Sequence, residues 1–211
     1  PGRNQMAARD AAWVFDELPL PLDNPWRRNV RPTDLEFFED GTAAVLTFDG
    51  DVWIVRGFGT DAAEWRRYAS GLNEPQSLCL QGGVIHVFDR NGIIRLHDLD
   101  GNGEADWYEN FCNVVAQSAE TRNYPMDLIA AKDGGFYLAL GGQVGSTVGK
   151  HNGVVARIAP DGRSYRIVAT GFRQPYLGYD PETGLLTASD QQGNWKPATP
   201  IYRVEDGDYF G

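Results

Sequence analysis

The stretch Pro125-Met-Asp-Leu-Ile-Ala-Ala-Lys-Asp-Gly-Gly-Phe-Tyr-Leu-Ala-Leu140 decides the fold. It begins with a proline, continues as a short apolar run, turns at Gly134 and continues as a second apolar run. Short apolar runs on either side of a glycine turn are typical of two β-strands joined as a hairpin. The stretch therefore predicts consecutive antiparallel strands near residues 127–131 and 135–140.

The same pattern occurs four times in the chain. The leading prolines are 43, 50 and 50 residues apart, and a turn glycine follows each of them seven to nine residues later. A repeat of roughly 40 to 50 residues that contains several strands is the signature of a β-propeller blade. The sequence thus predicts an all-β fold, a β-propeller with about four blades. The prolines are Pro32, Pro75, Pro125 and Pro175, and the glycines are Gly41, Gly82, Gly134 and Gly184.

No linker divides the chain, so we expect residues 1–211 to form one β-propeller domain or a fragment of one. Residues 61–69 are expected to form an outer strand or a short helix. Trp13-Val14-Phe15 is expected to be a further strand, which would complete the last blade if four blades close into a ring. The chain starts at Pro1 without an initiator methionine or a visible signal peptide, which suggests a piece excised from a longer protein.

Composition excludes several classes of function. The net charge is -10, from 29 acidic and 19 basic residues, which argues against a surface that binds nucleic acid or anionic membranes. No run of 18 apolar residues is present, so no transmembrane helix is expected. Cys79 and Cys112 fit neither a metal pair nor a haem attachment motif, and we expect buried free thiols, with one disulfide as the alternative.

The twelve residues Asp98-Leu-Asp-Gly-Asn-Gly-Glu-Ala-Asp-Trp-Tyr-Glu109 match the pattern of a calcium-binding loop. Ca²⁺ takes six to eight oxygen ligands, and a tight loop presents every second residue inward. The strand-like run 92–97 precedes the loop where a calcium sensor would have a helix, so the pattern favours a structural calcium site between strands. A solvated acidic turn is the alternative. The predicted ligands are Asp98, Asp100, Asn102, Glu104, Asp106 and Glu109.

Three residues are candidates for binding a small molecule or a carbohydrate. His151 lies on a long glycine-rich loop, and loops commonly carry functional sites. Arg173 has a planar guanidinium suited to a carboxylate or a quinone oxygen, with a surface ion pair as the alternative. Asp190 begins the polar segment 190–195, which is either a loop facing the central channel or a polar turn. Asp34, Ser77 and Asp127, near the starts of inner strands, are either ligand contacts or turn caps.

Seven segments occur in an order that resembles one family. Together they resemble the dehydrogenase-like propeller of large secreted bacterial proteins that often end in a c-type cytochrome module. That group is related to the glucose/sorbosone dehydrogenase propellers, which use pyrroloquinoline quinone (PQQ). The segments are Asp23-Asn-Pro-Trp26, Gly50-Asp-Val-Trp53, His97-Asp-Leu-Asp-Gly-Asn-Gly-Glu-Ala-Asp106, Tyr108-Glu-Asn-Phe111, His151-Asn-Gly153, Ala169-Thr-Gly-Phe-Arg-Gln-Pro175 and Asp190-Gln-Gln-Gly-Asn-Trp195.

The resemblance implies an oxidoreductase-like propeller, cut from a six-bladed ring, that acts on a sugar or alcohol and passes electrons to a fused or separate c-type cytochrome. It implies a periplasmic or extracellular location. The turn 171–175 is similar to the turn whose arginine meets the quinone, although Gln174 stands where that turn has asparagine. The family's catalytic histidine begins an inner strand, and the matching segment 124–127 contains none. The alternative is a non-catalytic, calcium-stabilised binding or scaffold propeller.

Overall fold

The structure, a computed structural model, describes residues 2–3, 6, 10, 12–60, 62–115, 117–118, 122–142, 149–192 and 198–211. These residues form 17 strands and no helix. The strands group into four mainly antiparallel sheets that follow one another along the chain as four blades. The predicted all-β propeller with about four blades is therefore confirmed, and the segment expected to be an outer strand or a short helix forms a strand over residues 62–69.

The first two blades each consist of four consecutive strands paired in chain order. The first blade carries a short additional strand, β1 (Gly2–Arg3), at its outer edge. The blade's own strands are β2 (Pro32–Phe37), β3 (Ala43–Thr47), β4 (Val52–Arg56) and β5 (Ala62–Ala69). The second blade contains β6 (Ser77–Gln81), β7 (Val84–Asp89), β8 (Gly92–His97) and β9 (Trp107–Cys112).

The third blade also has four consecutive strands, and the fourth blade has three. The last strand of the chain, β17 (Asp208–Tyr209), returns to the third blade and pairs parallel with its outer strand. The third blade contains β10 (Pro125–Ala130), β11 (Phe136–Leu140), β12 (Val154–Ile158) and β13 (Tyr165–Thr170). The fourth contains β14 (Tyr176–Tyr179), β15 (Leu186–Ser189) and β16 (Ile201–Arg203).

The first strand of each blade is the innermost one, because β2, β6, β10 and β14 contact one another in that order. Alternate strands run in opposite directions, so the loops divide between two ends of the propeller. We call the end where each innermost strand begins, after its repeat proline, the proline end. The opposite end, which includes the loop between β8 and β9, is the acidic-loop end.

Apolar side chains pack between neighbouring blades. Leu46, Val52 and Leu78 belong to the buried cluster between the first and second blades. Phe88 and Leu138 belong to the cluster between the second and third blades. A further cluster joins the third and fourth. Each of these apolar faces is buried against a neighbouring blade, which is why a single repeat cannot fold alone.

The N-terminal segment covers the face of the first blade that points away from the second. Leu18 packs against the buried cluster that contains Trp53, and the Trp26 ring lies edge-on to the same indole at 5.8 Å. The predicted strand at Trp13-Val14-Phe15 is wrong: these residues form no strand, and the side chains of Trp13 and Phe15 are 82% and 81% exposed. They do not complete the last blade.

Polar side chains at the start of the inner strands connect the blades. Asp34 Oδ2 accepts hydrogen bonds from Ser77 Oγ (2.9 Å) and from the backbone N–H of Leu78 (2.8 Å). Ser77 Oγ is also 3.1 Å from Asp127 Oδ1, and Asp127 Oδ2 accepts the N–H of Leu177 at 2.6 Å. These hydrogen bonds link all four inner strands through Asp34, Ser77 and Asp127. Such a structural role is closer to that of turn caps, one of the two alternatives for these residues, than to that of ligand contacts.

Two further expectations can be compared with the structure. Cys79 and Cys112 are both buried and free, as expected for thiols without a disulfide. Burial raises the pKa of each thiol, so both resist ionisation. The described part of the chain contains no helix that could cross a membrane.

Candidate functional site at the proline end

The turn from Gly171 to Pro175 leads into the innermost strand of the fourth blade, at the proline end. Gly171 has a φ of +90°, and a Cβ there would lie 2.4 Å from the backbone nitrogen of Gly211. Only glycine fits that conformation and that space. Phe172 is buried and packs against Tyr202 and Phe210, which anchors the turn to the third and fourth blades.

Asp190 holds this turn in place. Its carboxylate accepts the backbone N–H groups of Arg173 (2.9 Å to Oδ2), Gln174 (2.7 Å to Oδ1) and Gln191 (2.8 Å to Oδ1). The residue is only 8% exposed. A buried carboxylate that accepts several backbone N–H groups fixes the loop around it. Asp190 therefore positions the backbone of Arg173, and the structure brings these two predicted residues together.

The Arg173 guanidinium is the charged group that this turn presents. Nη1 donates a hydrogen bond to the carbonyl oxygen of Gln192 at 2.8 Å, and the side chain is half-buried. No carboxylate pairs with Arg173 among the residues that the structure describes. The surface ion pair, the alternative for this residue, is therefore not formed within the described chain. Residues 193–195 of the predicted loop 190–195 lie outside the described residues.

Two other arginines at the proline end are neutralised. Arg31 pairs with Asp49 (2.7 Å) and Arg90 with Glu74 (2.7 Å). Each guanidinium also lies over an aromatic ring, Phe48 for Arg31 and Tyr124 for Arg90, and these two rings meet edge to face at 6.2 Å. The sequence did not lead us to predict this group of arginines and aromatic rings. Part of the group could have been noticed, because charged, aromatic or amide side chains stand directly before each repeat proline: Arg31, Glu74, Tyr124 and Gln174.

His151 takes a different position from the one expected of a ligand contact. Its ring is buried, and Nε2 lies 2.8 Å from the hydroxyl oxygen of Tyr165 on the outer strand of the third blade. His86 is buried on β7, where Arg95 Nε donates to its Nε2 at 2.9 Å. Burial lowers the pKa of His86 to about 4, so the ring is neutral at pH 7.

At the acidic-loop end, the loop between β8 and β9 gathers three carboxylates. One oxygen from each of Asp98, Asp100 and Asp106 lies within 4.8 Å of the other two. The N–H of Asn102 donates to Asp98 Oδ1 at 3.1 Å, and the N–H of Gly103 donates to Asp98 Oδ2 at 2.8 Å. These bonds curl the loop around the cluster, which has the oxygen chemistry that Ca²⁺ prefers.

The Asn102 side chain contacts the cluster, because its Nδ2 donates to Asp100 Oδ2 at 3.0 Å while its Oδ1 accepts the N–H of Glu104 at 2.8 Å. The carboxylates of the predicted ligands Glu104 and Glu109 are not part of the cluster. Glu109 is on β9, where Oε2 is 2.9 Å from His97 Nε2 and Oε1 is 3.6 Å from Arg95 Nη1. The strand turns the Glu109 side chain toward β8, because β9 pairs Glu109 with Arg95 across the sheet.

Neither a protein-family model nor a curated protein matches the chain. Solved structures do match, and the fold is similar to that of several sugar dehydrogenase propellers. A putative oxidoreductase (glucose dehydrogenase) from Thermus thermophilus is 18% identical, with a TM-score of 0.63 over 86% of this chain and 64% of that one. The PQQ-bound aldose sugar dehydrogenase of Streptomyces coelicolor is 14% identical, with a TM-score of 0.68 over 87% and 63%.

A calcium structure of a carbohydrate-active enzyme of family AA12 from Trichoderma reesei has the same fold. It is 11% identical, with a TM-score of 0.63 over 84% of this chain and 53% of that one. The chain thus spans between about half and two thirds of the length of the structures that it resembles. At sequence identities of 11–18%, the structural similarity establishes the propeller fold alone.

Proposed function

We propose that the chain is the propeller of an oxidoreductase that acts on a sugar or an alcohol, with PQQ bound at the proline end. The observation that carries the proposal is the arrangement of Arg173. Its backbone is fixed by a buried carboxylate, and its guanidinium has no carboxylate partner among the described residues. Such a guanidinium is a preorganised site for an anionic or strongly polar ligand.

The chemistry of PQQ fits this group. Its carboxylates and quinone oxygens accept hydrogen bonds, and a guanidinium offers five N–H donors in a planar fork. Among the described residues, Gln192 accepts one of them, through Nη1 of Arg173. The bound quinone would supply the two-electron acceptor for substrate oxidation. The chain's own contribution would be to hold and orient it, with Asp190 keeping the turn rigid.

The further expectations about partners and location belong to the same proposal. Electrons would pass from the propeller to a fused or separate c-type cytochrome. The protein would work in the periplasm or outside the cell, as one domain that belongs to a six-bladed ring. The support for these statements is the order of motifs along the sequence together with the propeller fold.

A non-catalytic binding or scaffold propeller is the second candidate, and the histidines favour it. His86 and His151 are buried. The His97 ring stacks on Trp107 at the acidic-loop end and pairs with Glu109. A dehydrogenase needs a base that accepts the proton of the alcohol, and histidine is the commonest such group. In this candidate the proline end would bind a small molecule or carbohydrate without oxidising it.

Titration with PQQ in the presence of calcium tests the first proposal. We expect saturable binding, followed by absorbance and by a rise in melting temperature. Replacement of Arg173 by alanine should weaken binding about tenfold or more, because hydrogen bonds to charged groups contribute roughly 1.5–3 kcal/mol each. Arg163→Ala is the matched control, since Arg163 is an exposed arginine on the turn between β12 and β13, at the acidic-loop end.

The control variant should bind PQQ like the wild-type protein. Equal affinity in the wild-type protein and Arg173→Ala would remove Arg173 from the site. Binding without any sugar- or alcohol-dependent reduction of an electron acceptor would select the binding propeller over the oxidoreductase. A folded protein that binds no PQQ would contradict the first proposal.

We also propose that the acidic loop holds a structural Ca²⁺ through Asp98, Asp100 and Asp106, with Asn102 and Glu104 of the same loop completing the shell and Glu109 bound instead to His97 and Arg95. Three carboxylates so close together repel one another unless a cation lies between them. An ion bound with a hundredfold excess over its dissociation constant stabilises the folded state by about 2.7 kcal/mol.

Removing calcium with a chelator should therefore lower the melting temperature by about 5–10 °C, from the usual 2–4 °C per kcal/mol for a domain of this size. The measurement is thermal unfolding with and without excess calcium. Asp100→Asn should abolish the response to calcium, and Asp161→Asn, in an exposed turn elsewhere, should retain it. An unchanged melting temperature after chelation would rule out the metal.

A further inference from the structure

A large groove opens between the first and second blades at the acidic-loop end. Its volume is about 820 Å³, within the range of small-molecule sites. The floor consists of Phe38, Ile54 and Leu80, which continue the buried apolar cluster between these blades. The groove is at the opposite end of the propeller from Arg173, so it is a separate surface.

Charged groups of both signs surround the apolar floor. Four carboxylates and two guanidinium groups line the groove. Arg56 forms no ion pair among the described residues, and neither does Arg66. Glu36 lies at the inner end, where Oε2 accepts the backbone N–H of Leu80 at 2.5 Å and burial raises the pKa of the carboxyl group. The other carboxylates belong to Glu39, Asp40 and Glu64.

This mixture restricts the charge of a ligand. The four carboxylates repel an anion, and the two guanidinium groups weaken the attraction of these carboxylates for a cation. A neutral molecule with many hydroxyl groups uses both kinds of group, because each hydroxyl can donate to a carboxylate and accept from a guanidinium. The lining therefore complements a neutral, polyhydroxylated ligand.

The aromatic rings of the groove favour a ligand that also has an apolar face. The Phe37 side chain lines the groove and is 53% exposed, held edge-on to Phe58 at 5.0 Å. Tyr68 lines the same groove and is half-buried. An exposed ring beside charged groups offers a flat apolar face, and the C–H face of a pyranose ring is the apolar part of a sugar. Hydroxyl groups at the edge and an apolar face are both properties of carbohydrates.

From these observations we propose that the groove between the first two blades binds a neutral oligosaccharide. Phe37 packs against a sugar ring, and the carboxylates and guanidinium groups bind its hydroxyl groups. Arg66 connects this groove to the acidic loop, because its Nη2 donates to the backbone carbonyl of Asn102 and its guanidinium lies against Gly103. One wall of the groove is therefore the acidic loop itself.

Isothermal titration with four trisaccharides tests the proposal. Cellotriose and maltotriose are the neutral probes, a glucosamine trimer is the cationic probe, and a galacturonate trimer is the anionic probe. We expect at least one neutral trisaccharide to bind with a dissociation constant in the millimolar range or below, and more tightly than both charged trimers. Arg173→Ala should leave this affinity unchanged, which separates the groove from the proline end.

Phe37→Ala and Arg56→Ala should each weaken the binding of the neutral probe about fivefold or more, as expected for residues that anchor a ligand. Phe15→Ala is the matched control, because Phe15 is an exposed phenylalanine outside the groove. Arg56 is exposed, so its variant tests the site even if Phe37→Ala lowers stability. The proposal is overturned if neither neutral trisaccharide binds, if a charged trimer binds more tightly, or if both groove variants bind normally.

Discussion

Replacing Asp190 with alanine is expected to lower the free energy of unfolding by about 3–5 kcal/mol. The substitution leaves the backbone N–H groups of Arg173, Gln174 and Gln191 without their acceptor. A donor left without a partner costs roughly 1–3 kcal/mol when it is buried, and this part-buried turn relieves some of that cost by admitting water. Urea unfolding measures the change, and Asp190→Asn, which keeps one oxygen, should lose less.

Asp206→Ala is the control for this experiment. Asp206 pairs with Arg166, and both side chains are exposed, so the pair contributes between zero and about 1 kcal/mol. The Asp190 variant should also bind PQQ more weakly, because the turn that positions Arg173 is loosened. If Asp190→Ala and Asp206→Ala lose the same small amount of stability, the carboxylate does not hold the turn.

The second large effect is expected at Asp127, as a dependence of stability on pH. Burial raises the pKa of this carboxyl group from its usual value near 4 to about 6, and the neighbouring Asp34 adds to the shift. The folded state therefore favours the protonated carboxyl group of Asp127. Its stabilising contribution is complete below pH 4 and is lost as the pH rises through 6. The loss should reach about 3 kcal/mol at neutral pH.

Hydrogen bonding explains why a proton is favoured there. Ser77 Oγ lies between Asp34 Oδ2 (2.9 Å) and Asp127 Oδ1 (3.1 Å), and it also accepts the N–H of Leu128 (3.0 Å). A hydroxyl group has one proton, so it can donate to only one of two ionised carboxylates. A proton on Asp127 allows both hydrogen bonds of Ser77 to form, because Asp127 then donates to Ser77 and Ser77 donates to Asp34.

Asp127→Asn imitates the protonated form and is the sharpest variant. Its amide can donate to Ser77 Oγ while its oxygen accepts the N–H of Leu177, the bond that Asp127 Oδ2 makes at 2.6 Å. The N–H of Leu128, which donates to Asp127 Oδ1 at 2.8 Å, keeps only its bond to Ser77 Oγ in the variant, and this cost does not change with pH. The stability difference between wild type and variant, measured by urea unfolding from pH 4 to pH 8, should therefore change by about 3 kcal/mol in favour of the variant. Three other titratable groups face these carboxylates, those of Glu36, Cys79 and Tyr176. Their contribution to the pH dependence of stability is common to the wild type and the variant, so it cancels in the difference. A constant difference across this range would contradict the shared proton.

The repeats allowed the fold to be predicted from the sequence. Each blade carries its own proline, turn glycine and alternating strands, so local patterns repeated four times led to the correct architecture. The error at Trp13-Val14-Phe15 has a physical reason. A short apolar run resembles a strand whether or not a sheet edge is free to pair with it, and the first blade is covered instead by Leu18 and Trp26.

Side-chain roles were harder to predict. The contact between Asp34 and Ser77 joins residues 43 positions apart, and it exists only because consecutive inner strands lie side by side. The position of Glu109 depends on the direction in which the chain leaves the loop, and a strand in place of a helix turns the carboxylate toward His97. The contact of Asp190 with the Arg173 turn forms because β14 and β15 pair as a hairpin, with Tyr176 opposite Ser189, and the spacing of the two segments in the sequence does not reveal it.

The most direct measurement is a crystal structure of the protein grown with PQQ and calcium. We expect electron density for PQQ at the proline end, with a carboxylate or quinone oxygen within hydrogen-bond distance of the Arg173 guanidinium. Density for PQQ at the opposite end, or a proline end without PQQ at saturating concentration, would contradict the proposed oxidoreductase site.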